Sequence, residues 1–518
     1  MITDVELSLT PFQAHSEEQY KLAAAKKAGI PAEDITFIRI IRKSVDARSQ
    51  SIKVNLSVKL YTDESVPDSI VPSFHYQPVH GKPEVLIIGA GPAGLAAALR
   101  LIELGARPVV LERGKIVEER FEDIQQLEKN QPLNCDSNYC FGEGGAGAYS
   151  DGKLYTRSKK RGDISRILQW FVYHGAPEAI LYDAHPHIGS DKLPGVIKKI
   201  RETILACGGS IFFNTRVTGF GVSGNSLTRV ISLKGQAFEA KAVILATGHS
   251  SKDIYELLQQ KHIALETKLF AMGVRVEHPQ ELINSIQYHG QKDEFLPAAN
   301  YNVVEQVEKR GVYSFCMCPG GQMVPSATAP DEIVVNGMSV SQRNSPYANS
   351  GIVVQVTEED LKSFARFGAL AGLELQQQLE HQCFRHANMG QKAPAQRLTD
   401  FVSRKTSGSL PGNSYLPGTA ASDLSVWLPR FINDSLREGF KRFDGKMKGY
   451  LTREAVILGV ESRTSSPVRI PRREDSRQHI RIENLFPCGE GSGYAGGIVS
   501  SAIDGEASAE KCMQWLGK

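Results

Sequence analysis

The sequence contains no C-x-x-C pair. Its eight cysteines are scattered through 518 residues, with Cys135 and Cys140 five apart and Cys316 and Cys318 two apart. Neither a zinc ribbon nor a thioredoxin-type site is expected from such spacing. A disulfide scaffold is not expected in so long a chain, and reduced thiols are the plain reading. An excess of charge of one sign is also missing: 60 Lys and Arg against 57 Asp and Glu leave +3. That near-neutral balance demands neither nucleic acid nor an anionic membrane as partner. The longest apolar stretch, Val85 to Leu104, is interrupted by glycines, Pro92, Arg100 and Glu103, and does not read as a membrane span. Met1 to Glu6 lacks the basic start and apolar core of a signal peptide. A cytoplasmic protein without a metal site is therefore expected.

The length points to two to four domains with at least one large core. Val5 to Leu9 alternates like a strand, Glu17 to Ala28 has helix-forming composition closed by Gly29, and Ile35 to Ile41 and Ile52 to Tyr61 read as strands. This β-α-β-β unit is assigned to residues 1–70. Pro67, Pro72, Pro78 and Pro83 then mark a linker. From Glu84 the pattern changes to a buried parallel strand, a Gly-rich turn and a helix, and β-α-β signals continue to about 263. Residues 264–452 mix short strands with helices, the clearest helix being Glu358 to Ala387. Residues 453–518 return to strand, Gly-rich turn and helix. The expected fold class is α/β: a Rossmann-type FAD/NAD(P)-binding domain (84–263 and 453–518), an inserted α+β domain (264–452) and a small N-terminal α+β domain.

The central motif is Glu84-Val-Leu-Ile-Ile-Gly89-Ala-Gly91-Pro92-Ala93-Gly94. A lone G-x-G-x-x-G is weak, but here an apolar strand precedes it and an Ala/Leu-rich helix follows. Gly89 makes the tight turn, Gly91 admits the pyrophosphate, and Gly94 lets helix and strand pack closely. The N-terminus of the helix directs free N–H groups at the phosphates. A second strand, Pro108 to Glu112, ends on an acid about 20 residues beyond the glycines, placed for the adenosine ribose hydroxyls.

Lys241-Ala-Val-Ile-Leu-Ala-Thr247-Gly248 resembles the Ala-Thr-Gly strand of two-dinucleotide-type flavoproteins. Cys488-Gly489-Glu490, running on to Gly496-Gly497-Ile498, resembles their C-terminal flavin motif. There the acid holds a ribityl hydroxyl and the helix start faces the pyrimidine edge of the flavin ring. That superfamily usually carries Asp where this chain has Glu490, one methylene longer. The three signals together favour FAD over NAD as the held dinucleotide. Arg113 and Val217 complete the candidate contacts of these strands. A further G-x-G-x-x-G, Gly219 to Gly224, lies between strand-like segments and reads as a hairpin turn, so no second nucleotide domain is expected.

Asp46-Ala-Arg48, Phe141 to Leu154, Gly273 to Gln280, Cys316 to Gly321 and Gly459 to Arg469 give the chain a broader resemblance. Over nearly its whole length it resembles the bacterial NAD(FAD)-utilising dehydrogenases, a group of FAD-dependent dehydrogenase-like flavoproteins. The resemblance implies the three-part fold above. In the Gly-rich stretch, Gly144 and Gly145 would pass against the flavin, and Ser150, Asp151 and Lys153 are candidates for ring or substrate contacts. Arg275 and His278, where the chain enters the inserted domain, and Arg463, where it returns, are the candidate catalytic residues. An arginine fork there would clamp a carboxylate or phosphate, and His278 would move a proton. The alternative is that the arginines pair with acids such as Glu277 and Glu461. Cys316 and Cys318, a C-x-C on an extended segment, put both thiols on one face, as redox-active thiols or as buried packing cysteines. Arg472 and Arg473 read as a solvated charge run.

The function expected is that of an FAD-dependent oxidoreductase acting on a small, anionic organic substrate. NAD(P)H would be a transient electron donor, or an electron-transfer partner would take its place. The rivals are an RNA-modifying flavoprotein, against which the neutral charge argues, and a non-catalytic, redox-sensing flavoprotein.

Overall fold

A computed structural model describes residues 1–62, 71–156, 162–387 and 390–517. Of the proline-marked linker, residues 63–70 lie outside the described residues. The N-terminal unit is a three-stranded antiparallel sheet in which Lys53–Tyr61 lies between Ile2–Leu9 and Phe37–Asp46. Alternate residues of the outer strand, Val5, Leu7 and Leu9, are buried against Tyr20 and Ala24 of helix Glu17–Ala28. The period-2 pattern thus sets which face meets the helix.

Five short parallel strands form the central sheet, in the spatial order Leu485–Pro487, Val243–Leu245, Glu84–Ile88, Arg107–Leu111, Ser210–Phe212. The strand before the glycine motif therefore sits at the middle, flanked on one side by the Ala-Thr-Gly strand. Such strands, buried on both faces, are continuous apolar runs rather than alternating ones; Val85, Leu86, Ile87 and Ile88 are all buried. Helix Pro92–Glu103 packs against the C-terminal helix Ile498–Trp515. Gly505 permits that approach, because a Cβ there would overlap the backbone of Ala93. A separate antiparallel ribbon, Val217–Ser223, Ser226–Ser232 and Ala237–Glu239, contains the second glycine triplet in a hairpin. This is a Rossmann-type α/β fold carrying additional domains.

The largest sheet has seven strands in the order Val304–Val307, Arg310–Cys318, Tyr347–Gln355, Ala271–Pro279, Val456–Glu461, Ala393–Arg397, Thr419–Ala421. Its core includes Val274, Val276, Ile352, Phe440 and Ile457. Strand Val456–Glu461 pairs with both Ala271–Pro279 and Ala393–Arg397. The return to the central fold therefore comes after Glu461, later than the expected boundary at 452. The helix expected from Glu358 to Ala387 is three pieces, Glu358–Leu361, the 3₁₀ segment Lys362–Leu370 and Ala371–Ala387. Gly368, at φ 58° inside the 3₁₀ segment, breaks the helical path two residues before Leu370, where that segment ends. Among the described residues no helix is long and apolar enough to cross a membrane.

Candidate functional site

At the carboxyl ends of the central strands lies an open cleft of about 260 Å³. This is the end of a parallel α/β sheet at which ligands bind. Its floor is the dinucleotide turn, with Gly89, Gly91, Pro92 and Ala93 on the cleft wall. Gly91 is the N-cap of helix Pro92–Glu103, and no side chain caps that end, so the first-turn N–H groups stay available. A Cβ on Gly91 would find only Gly145 Cα, at 3.9 Å, and otherwise open space. Gly94 faces the other way. A Cβ there would overlap the Gly89 carbonyl oxygen, so its lack of a side chain serves the strand–helix contact and it does not line the cleft.

Glu112 reaches the cleft from the end of the neighbouring strand and is 5% exposed. One carboxylate oxygen accepts from Ala90 N at 2.8 Å, the other from Gly114 N at 3.0 Å and Gly142 N at 3.1 Å. The side chain thus knits the glycine turn to the Gly-rich loop while still fronting the cleft. Arg113 stacks over the Phe141 ring at 4.0 Å and is held by Asp136 and Asp253. Val217, Thr247 and Gly248 line the same wall.

The far end of the cleft is the start of helix Ile498–Trp515. Gly489, Glu490, Gly496, Gly497 and Ile498 all line it, and Gly497, the N-cap, has no side-chain cap either. Glu490 lies 3.3 Å from Nδ1 of His249, a cleft residue that sequence reasoning missed although it directly follows Gly248. Asp504, deeper in the helix, accepts from Gly489 N at 2.8 Å and forms a two-bond pair with Arg472. Arg472 also lies 3.9 Å above the Tyr494 ring. The expectation of a solvated charge run fails for Arg472, whose side chain is 8% exposed, because Asp504 of helix Ile498–Trp515 and Tyr494 of the Gly-rich turn converge on it.

Two uncapped helix ends face one cleft, with an acid between glycine turns and an unfilled position at Gly91. This donor set fits a dinucleotide: N–H groups for phosphates at one end, N–H groups for an anionic ring edge at the other. Glu112 would hold the adenosine ribose, the first-turn amides beyond Gly91 the pyrophosphate, and Glu490 the ribityl chain.

The Gly-rich loop divides. Gly145 and Ser150 line the cleft, the former packed against Gly91. Gly144 does not; it accommodates Ile197, which would meet any Cβ there. Asp151 is buried behind the loop between Arg343 at 2.9 Å and Lys153 at 3.2 Å. Burial pushes its carboxyl up, but Lys153 and Arg343 outweigh that and hold it down at about 2. Lys153 faces a second cavity and the thiols of Cys316 and Cys318.

The candidate catalytic trio is not brought together in the cleft. Arg275 is fully buried in the middle of the seven-stranded sheet. Its three nitrogens go to Asn349 Oδ1 at 2.8 Å, Glu461 Oε2 at 2.6 Å and the Cys316 carbonyl at 2.8 Å. With its donors consumed by protein it cannot clamp a substrate anion, and the pairing with Glu461 is the arrangement observed. His278 is also buried, its Nε2 2.9 Å from the Tyr450 carbonyl and its ring 4.4 Å from the Tyr450 ring. Burial pushes its pKa down to about 4, leaving a neutral core histidine. Arg463 does reach the cleft wall, but Glu380 and Glu332 hold it at 2.9 and 3.0 Å, and Lys252 completes the buried cluster. Two acids against two cations leave no net charge to attract an anion. The wall that the inserted sheet presents instead is Phe315, Cys316 and Asn336.

Residues 82–120 match the FAD binding domain family. Residues 269–464 match the family described as FAD-dependent protein, C-terminal domain-like, and residues 1–61 a domain of unknown function, DUF8436. Among solved structures, the open conformation of a flavocytochrome c3 fumarate reductase is 13% identical with a TM-score of 0.37, covering 84% of this chain and 79% of that one. Tetracycline destructase Tet(51) is 13% identical with a TM-score of 0.28, covering 57% of this chain and 64% of that one. An uncharacterized protein of Clostridium beijerinckii (strain ATCC 51743 / NCIMB 8052) is 40% identical over 511 residues, covering 94% of each chain. The chain belongs to the same protein family as that Clostridium protein, and within it carries an FAD binding domain and a C-terminal domain-like region of FAD-dependent proteins.

Proposed function

We propose that the protein is an FAD-dependent oxidoreductase acting on a small organic substrate, with a nicotinamide as a visiting electron donor. One observation carries the reading. A single cleft runs from the Gly89–Gly91 turn to the uncapped start of helix Ile498–Trp515, and the inserted sheet closes it with Phe315, Cys316 and Asn336. Such a wall gives a substrate a place at the boundary of two domains, beside the reactive end of the dinucleotide. Bound FAD would supply the two-electron chemistry, and the protein would supply position and electrostatics. The helix dipole at Ile498 favours negative charge at the ring edge. His249, with Nδ1 tied to Glu490, has Nε2 left for proton exchange and takes the place that sequence reasoning gave to His278.

The test is anaerobic mixing of the purified protein with NADH and NADPH, followed by a metabolite screen for reoxidation. The protein is expected to purify yellow with non-covalent FAD and to be bleached by a nicotinamide. A colourless protein that FAD cannot reconstitute would overturn the reading.

A further inference from the structure

Between the cleft and the second cavity stands a pair of thiols. Cys316 lines both spaces, together with Phe315 and the start of helix Ile498–Trp515. The second cavity, about 640 Å³, is also lined by Lys153, His185 and Arg343. Strand Arg310–Cys318 is regular up to Phe315, which pairs with Gly351. The next pair is Cys318 with Asn349, so Cys316 and Met317 stand opposite one residue. This is a β-bulge, a device that re-aims a side chain and recurs beside active sites. Cys316 sits at φ 47°, a left-handed conformation that costs a non-glycine residue and is retained where the surroundings enforce it. The bulge turns Cys316 out to solvent while Cys318 stays fully buried.

The Cys318 thiol donates to the Cys316 carbonyl oxygen at 3.3 Å. Lys153 Nζ lies 3.8 Å from Cys316 Sγ and 3.5 Å from Cys318 Sγ, and Arg275 Nη2 lies 3.7 Å from Cys318 Sγ. The charged groups around the pair are Lys153, Arg275, Asp151, Arg343 and Glu461. The neighbouring Cys318 side chain, then Lys153 and Arg275, hold the Cys316 thiol well below its ordinary range and favour its thiolate. An exposed, activated sulfur with a buried partner is the arrangement of an attacking and a resolving cysteine.

We propose that Cys316 and Cys318 form a redox-active dithiol that relays two electrons from the flavin cleft to a small anionic disulfide bound in the second cavity. The relay rests on the FAD reading above. Cys316 Sγ attacks one sulfur of the substrate disulfide, forming a mixed disulfide and expelling the first thiolate, which takes a proton from solvent. Cys318 Sγ then attacks Cys316 Sγ, breaking the mixed disulfide and forming the Cys316–Cys318 bond. The Cys318 proton passes by way of Lys153 to the second thiol released. Bound FAD, once reduced by a hydride donor such as a nicotinamide, would supply the two electrons and two protons that return the pair to dithiol. Lys153 and Arg343 on the cavity wall give the preference for carboxylate-bearing disulfides.

The test uses the holoprotein and 5,5′-dithiobis(2-nitrobenzoate), a dicarboxylate disulfide, as probe. Peptide mass mapping of treated wild type is expected to find Cys316 joined to Cys318. Cys318→Ser should instead retain one thionitrobenzoate on Cys316. Anaerobic dithionite titration of probe-oxidised protein, freed of probe, should consume four electrons per flavin in wild type and two in Cys316→Ser. Cys316 is exposed, so that variant keeps the core intact. Wild type that takes up only two electrons, or that shows Cys316 unlinked or joined to Cys140, overturns the relay while leaving the FAD reading in place. A colourless protein that cannot be reconstituted overturns the FAD reading itself, and the relay falls with it.

Discussion

Two glycines three residues apart should fail in opposite ways. At Gly91 the backbone is extended, φ −78° and ψ −176°, which any L residue adopts. A Cβ there projects toward the cleft with nothing nearer than 3.9 Å. Gly91→Val should therefore fold, and its branched side chain should occupy the space where the pyrophosphate must approach. Forcing such extra methyls into a fitted contact costs about 1–3 kcal/mol, which is roughly a 5- to 150-fold rise in Kd for FAD. Gly94→Ala should do the reverse. Its Cβ would overlap the carbonyl oxygen of Gly89 and lie 3.3 Å from Ile87 Cγ2, so the strand–helix contact at the centre of the sheet must open. The apoprotein of Gly94→Ala should melt well below wild type, whereas that of Gly91→Val should melt like wild type. Flavin titration by fluorescence quenching measures the first effect, and calorimetry of the two apoproteins the second. Unchanged FAD affinity in Gly91→Val, or equal destabilisation by both substitutions, would refute the assignment of these glycines.

Glu112→Ala should weaken FAD by about 1–3 kcal/mol and also lower the melting temperature of the apoprotein, since three backbone amides lose their acceptor; a shift in flavin reduction potential at unchanged affinity would place Glu112 at the wrong end of the cleft. Arg463→Met should cost about 3–5 kcal/mol of stability, because the buried pair Glu332 and Glu380 would lose the arginine that bridges them; a melting curve like that of wild type would show the cluster to be dispensable. Asp151 is held at about 2 in the folded protein, below the ordinary 3.8. The unfolded state therefore binds more protons between those values, so the contribution of Asp151, about 2 kcal/mol, is full above pH 4 and lost as pH falls toward 2. Asp151→Asn should be less stable than wild type at neutral pH and show a shallower loss over that acid window, measured by urea unfolding; parallel curves would refute the pairing.

The glycine turn, the acid at Glu112 and the C-terminal Gly-rich helix start were legible because each is a local constraint, written within about 30 residues of chain. What sequence reasoning misplaced was made by distant segments. Arg275 stood at a domain junction in the sequence, but its partner Glu461 lies 186 positions away and reaches it only because two strands pair side by side. Arg463 meets Glu380 across 83 positions because helix Ala371–Ala387 packs beside strand Val456–Glu461. The C-x-C was visible, but an ideal strand would have left both thiols equally placed. The bulge that separates them depends on register with Tyr347–Gln355, which no local pattern in the strand itself records.

The entry and exit of the inserted sheet have a mechanical consequence. The chain goes up through Ala271–Pro279 and comes back down through Val456–Glu461, hydrogen-bonded to each other, and just outside them Glu266–Thr267 pairs with Val468–Arg469. The two crossings thus form a zipped stem instead of a single flexible strand. Swinging such a stem requires cross-strand bonds to break together, so its lowest-energy motion is a small twist rather than a wide opening. Molecules exchanging with the cleft would then have to thread through its fixed mouths, and turnover would be limited by the width of those mouths rather than by the swing of a lid.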